Sequence, residues 1–160
     1  MFSRDTDTYK GNIFPFGSPR DTEEEFKKGK LRDASGCSSK REYIETVCQY
    51  RFPMLQKWVT AHQPRVIVCF GVTRGNYFKE AFSPTPVTLE RIPAADRYVD
   101  VAEINSGKTL LCVVPHVTGG SNGLNSKARI EAVAEVIRDL ANRRFGPKWH
   151  RFVNLKIEKA

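Results

Sequence analysis

Leu110-Leu111-Cys112-Val113-Val114-Pro115-His116 is the stretch that decides the fold. Its continuous apolar run reads as a strand covered on both faces. A proline and a histidine close it. A loop follows, Val117-Thr118-Gly119-Gly120-Ser121-Asn122-Gly123-Leu124-Asn125-Ser126, and a long amphipathic helix pattern starts at about Lys127. A polar side chain at the carboxyl end of a buried strand, ahead of a helix N-terminus, stands where open α/β sheets bind ligands. The loop amides and the helix N-terminus favour an anion there, such as a phosphate.

Going outward, Tyr98 to Ile104 reads as a strand joined to the Leu110 strand by a hairpin turn, Asn105-Ser106-Gly107-Lys108. Val66-Ile67-Val68-Cys69-Phe70 is a second buried strand. Gly71-Val72-Thr73 then makes a tight turn, with Thr73 as the expected N-cap of a helix running to about Phe82. Ser83-Pro84-Thr85-Pro86 breaks that helix, and Val87 to Ile92 is a weak strand. Upstream, Tyr43, Val47 and Tyr50 recur at helical spacing from Lys40. Pro53 is expected to restart the helix, and Leu55, Trp58, Val59 and His62 continue one face as far as Gln63-Pro64. The last helix carries Ile130, Val133, Ala134, Ile137, Leu140 and Ala141 on one stripe and ends near Arg144, before Gly146-Pro147.

The ends are plainer. Residues 1–11 are polar. Ile13-Phe14-Pro15-Phe16 is a short apolar run closed by a turn at Gly17-Ser18-Pro19. Asp21 to Lys30 reads as a solvated helical turn and Leu31 to Ser39 as loop. The tail from Lys148 holds an apolar run, Phe152 to Ile157, read as an edge strand. Strands interleaved with helices argue an α/β fold with a mainly parallel sheet, in one domain spanning 1–160 with 1–11 and 148–160 peripheral.

The 160 residues suffice for a real core. No apolar run approaches the roughly 20 residues of a membrane span. The N-terminus carries no apolar signal segment, so the expectation is a cytoplasmic protein with no membrane partner. A net charge of +8 suits a nucleic-acid binder or simply a soluble surface. Of the four cysteines, Cys69 and Cys112 fall inside strands as small buried apolar groups. Cys37 and Cys48 are too few for a structural zinc site, so reduced thiols, no metal and no cofactor are expected. Gly107-Lys108-Thr109 resembles the end of a phosphate-binding P-loop, but Thr109 opens a strand instead of a helix, which favours the hairpin turn.

Pro64-Arg65-Val66-Ile67-Val68-Cys69-Phe70-Gly71 and Val113-Val114-Pro115-His116 with its loop together resemble the uracil-DNA glycosylase superfamily. Gly11-Asn12-Ile13-Phe14-Pro15-Phe16 is similar to that family's asparagine-bearing segment. The likeness spans roughly residues 10–144 and implies a three-layer α/β/α fold. It also implies that Asn12 reads a flipped base through its amide. His116 would donate to the base carbonyl as negative charge develops on the leaving group, a stabilisation worth about 10²–10³ in rate. Phe14 and Phe16 are then stacking candidates. Thr118, Gly119, Gly120, Ser121, Asn122, Asn125 and Ser126 would hold a flanking phosphate, with Leu124 as an apolar wedge.

Two features depart from the family pattern. Eleven residues precede Asn12, too few for the family's first motif and the central strand that carries it. The position of an iron–sulfur ligand in one branch is Phe16, so no cluster is expected. Each residue also has a plainer role open to it: His116 as a loop histidine, Asn12 as a turn or cap residue, Leu124 as a contact at the helix start. Three functions stay open. The chain is a glycosylase acting on uracil-containing or single-stranded DNA, a non-catalytic nucleic-acid, nucleotide or nucleobase-binding module, or a subunit whose sheet is completed by a partner chain or a second copy.

Overall fold

A computed structural model describes residues 11–14, 23–28, 30–117 and 120–149. Phe16, Thr118, Gly119, the turn at 17–19 and the apolar run at 152–157 lie outside the described residues. The elements are α1 (Glu23–Lys28), α2 (Lys30–Ser35), α3 (Lys40–His62), β1 (Val66–Phe70), α4 (Gly75–Phe82), β2 (Glu90–Ala94), β3 (Arg97–Ile104), β4 (Thr109–Val114) and α5 (Lys127–Phe145). The strands form one sheet in the order β1-β4-β3-β2.

The Leu110 run is the centre of that sheet. Every residue of β4 is buried, because the strand has neighbours on both edges and helices over both faces. Alternation sorts its side chains. Leu111 and Val113 face a core with Val59 of α3, Phe78 and Ala81 of α4, and Cys69 of β1. Leu110, Cys112 and Val114 face a second core with Val133 and Ile137 of α5. Thus α3 and α4 cover one face and α5 the other.

The fold is α/β, but the expectation of a mainly parallel sheet is not met. Among the described residues only β1 and β4 run parallel. β4 with β3 and β3 with β2 are antiparallel. Two hairpins cause this. One is the turn read from the sequence, where Asn105, Ser106 and Gly107 take positive φ of 53°, 55° and 76°. Because β4 begins at Thr109, that turn is no phosphate loop. The other is a two-residue turn, Ala95-Asp96, which pairs Ala94 with Arg97.

Three further expectations change. Pro53 does not restart a helix: α3 is continuous from Lys40 to His62 with the proline inside it. Residues 30–35, expected as loop, are helical until Gly36, whose φ of +69° ends the turn. The helical turn at 23–28 is not wholly solvated, since Phe26 is in the core. Ser39 caps α3 by accepting from the amide of Glu42, and the Ser38 hydroxyl and amide hold the Glu42 carboxyl below its usual range.

Candidate functional site

β1 and β4 are neighbouring parallel strands, and the helices that follow them leave to opposite faces of the sheet. That is the topological switch point at which open α/β sheets form a crevice. The two exits are built differently. After β1 the chain turns at Gly71, passes through one 3₁₀ turn (Val72–Arg74) and enters α4. After β4 it needs Pro115 to Ser126 before α5 begins.

Gly71 and His116 meet between the exits. The Gly71 amide donates to the Val114 carbonyl at 2.8 Å, which carries the ladder one residue past β1. Its φ of +116° suits only glycine. A β-carbon there would lie 2.7 Å from His116 Nε2 and 3.1 Å from its Cδ2. The imidazole therefore rests its Nε2 edge on the bare Cα of Gly71 and turns Nδ1 away from it. The ring is exposed, while Pro115 before it is buried. The Leu124 amide donates to the His116 carbonyl at 2.8 Å, fixing the backbone beneath the ring.

The long exit is tied down by cations. Arg97, at the start of β3, donates to the carbonyls of Ser121 and Gly123. Arg129, in the first turn of α5, donates to the Asn125 side chain and grips the Asp96 carboxylate from Nε and Nη2 at 3.0 and 2.6 Å. Asp96 also pairs with Arg97 at 3.0 Å. The Arg129 hydrogen bond holds the Asp96 carboxyl below the usual carboxylate range, and Arg97 adds to the effect. Asn125 Nδ2 donates back to the Gly120 carbonyl at 3.2 Å. Ser126 caps α5 by accepting from the Arg129 amide. Beside this loop runs an open groove of about 630 Å³ whose lining includes Val117, Asn125, Lys127 and Ile130. Val117 and Ile130 are both exposed apolar residues.

No family model, curated protein or solved structure matches this chain.

The expected site residues fall into three groups. His116, Gly120, Ser121, Asn122, Asn125 and Ser126 share one end of the sheet with Gly71, and Asn122 is exposed there. Leu124 is also there, but it is 2% exposed and belongs to the core under α5. It is a packing contact at the helix start and not an exposed wedge. Asn12 and Phe14 lie on α3 and α4 instead. Arg51 donates to the Asn12 carbonyl at 2.8 Å, and Phe14 sits among Tyr43, Phe52 and Tyr77 with the Arg74 guanidinium 5.3 Å from its ring centre. Phe14 is thus part of an aromatic cluster, and no described hydrogen bond joins Asn12 to His116.

The sequence reading missed Gly71 as the partner of His116, and it missed the Asp96–Arg97–Arg129 network. A glycine directly after a buried strand and before a helix signals close approach at that end. No spacing rule links Asp96 to Arg129, 33 residues away.

Cys69 and Cys112 offer no thiolate chemistry here. Burial pushes the Cys112 thiol up to about 12 and raises that of Cys69 as well, so neither forms a thiolate near neutral pH. Among the described residues no cluster of His, Cys, Asp or Glu could hold a metal ion, and no helix is long and apolar enough to cross a membrane.

Proposed function

We propose that this chain is a nucleic-acid-binding domain on a three-layer, uracil-DNA-glycosylase-like plan. It seats a DNA strand or a free nucleobase at the carboxyl ends of β1 and β4. The observation that supports this best is the exposed His116 ring resting on Gly71 at the switch point. The two segments that carry the resemblance thereby become neighbours. His116 donates to a base carbonyl, and Val117 and Ile130 offer apolar surface beside it. The first turn of α5 brings Lys127 to the same end, and a chain of net charge +8 favours a phosphate backbone.

Binding is favoured over base release because Asn12, the residue assigned to reading the base, is held on α3 by its own carbonyl. Hydrolysis of an N-glycosidic bond is the second possibility, favoured by the exposure of His116 to anything entering from solvent.

One experiment separates them. A labelled single-stranded oligonucleotide containing uracil is titrated by fluorescence anisotropy at several salt concentrations, with alkaline strand scission scored on the same samples. The expected result is salt-sensitive binding, weaker by about tenfold in His116→Ala as befits one lost hydrogen bond to a polar ligand, and no scission. Scission that vanishes in His116→Ala would establish the hydrolase. Absence of salt-sensitive binding, or affinity untouched in His116→Ala, would overturn the assignment.

A further inference from the structure

The two edges of the sheet are finished differently. On β2, Pro93 pairs with Tyr98 and leaves no amide to offer outward, and the charged Glu90 and Arg91 flank it. On β1 the edge is open. The Arg65 carbonyl and the Gly71 amide bond to β4, so by alternation the amides and carbonyls of Val66, Val68 and Phe70 point away from it. Among the described residues no strand pairs with that side. The same residues carry apolar side chains on the α5 face, where Val68 is 42% and Phe70 46% exposed. α5 lies over β2, β3 and β4, and of these three residues only Val66 packs against the core beneath it. A hydrophobic strand with a free hydrogen-bonding edge invites a partner.

We propose that residues 153–158 of this chain are that partner, adding a fifth strand parallel to β1. Arg65, just before β1, donates from Nη1 to the Trp149 carbonyl at 2.7 Å, so the chain leaves α5 beside the start of the open edge. The sequence beyond is Val153-Asn154-Leu155-Lys156-Ile157-Glu158, a strict apolar–polar alternation of the kind a half-buried strand requires. Four residue steps from Trp149 reach about 13 Å, well beyond the roughly 4.8 Å between paired strands. The six alternating residues match the five of β1. Val153, Leu155 and Ile157 then extend the apolar face of Val68 and Phe70.

Handedness agrees. The crossover from β1 to β4 carries α4 on one face. A crossover from β4 back past β1 carries α5 on the opposite face, and reversing both direction and face preserves the hand. The added strand would run toward the end of the sheet where Gly71 and His116 meet. This inference does not depend on the binding function.

The test is amide hydrogen exchange on the full chain, read residue by residue at Val68 and Phe70, with Leu155→Asp and Lys156→Glu beside it. The expected result is exchange about a hundredfold slower than for free amides in the parent chain and in Lys156→Glu, at every protein concentration, and fast exchange in Leu155→Asp. Fast exchange of both amides in the parent chain would overturn the proposal. So would protection that survives in Leu155→Asp. Protection that fades on dilution would also overturn it, since a second copy would then occupy the edge.

Discussion

The two exits from the parallel strands do the same job by opposite means. After β1 the chain turns within one residue, and everything rests on the backbone of Gly71: its positive φ, its amide on Val114 and its missing β-carbon under His116. Neither the 3₁₀ turn nor α4 has a side-chain cap, and Thr73, expected as one, makes none. After β4 the chain takes a long path held by side chains: Arg97 and Asn125 on carbonyls, Asp96 between two arginines, Ser126 on the helix start. The short exit tolerates no added atom. The long exit depends on atoms that can be removed one at a time, each with a limited effect.

That contrast can be broken most sharply at Gly71. Gly71→Ala forces a side chain into positive φ and against the His116 ring. A loss of about 2–3 kcal/mol in urea unfolding is expected, together with the loss of oligonucleotide binding. A midpoint unchanged from the parent would mean that the close approach to His116 is not a constraint.

On the long exit the largest single loss is expected from Ser126→Ala, which removes the α5 cap and costs about 1 kcal/mol in the same assay. Arg129→Ala should lower stability by less, because its pair with Asp96 is partly solvent-exposed and screened. Its signature is instead faster proteolytic nicking between Gly120 and Asn125, in a loop that has lost its tie at Asn125. Equal nicking in the parent and in Arg129→Ala would show that the network does not hold the loop.

The smallest effect is in acid. The folded carboxyl of Asp96 is held below its unfolded value, so its contribution is present above about pH 4 and is lost as pH falls through the folded value. Arg129→Ala removes the main cause. The stability difference between parent and Arg129→Ala should therefore shrink in that window. A difference constant from pH 6 to pH 2 would contradict the assignment.

The same contrast explains what could be read in advance. The β4 run was legible because five apolar residues in sequence have one economical placement, between two covered faces. The β1 run and the α5 stripe were legible for the same reason. The Ala95-Asp96 hairpin was not, since it lacks the glycine or asparagine that usually marks positive φ, and Ala95 adopts a φ of +54° without that signal. Without it, strands and helices in alternation read as a parallel sheet. His116 was legible at the site because strand ends place ligands. Its contact with Gly71 joins two residues far apart in sequence and is set by which strands become neighbours. Leu124 was ambiguous by nature, as an apolar residue next to a helix start serves equally as wedge or as core until its burial is known. The resemblance drew Asn12 and His116 into one site, whereas the aromatic packing of Phe14 under α3 fixes the Asn12 segment elsewhere.

The most direct measurement is a backbone NMR titration of the isotope-labelled chain with a short single-stranded oligonucleotide containing uracil. The expected shifts concentrate on Gly71, Val72, His116, Val117 and the first turn of α5, and they disappear in Gly71→Ala. Shifts centred instead on Asn12 to Phe14 and α3, with the β1 and β4 ends unmoved, would contradict the placement of the site.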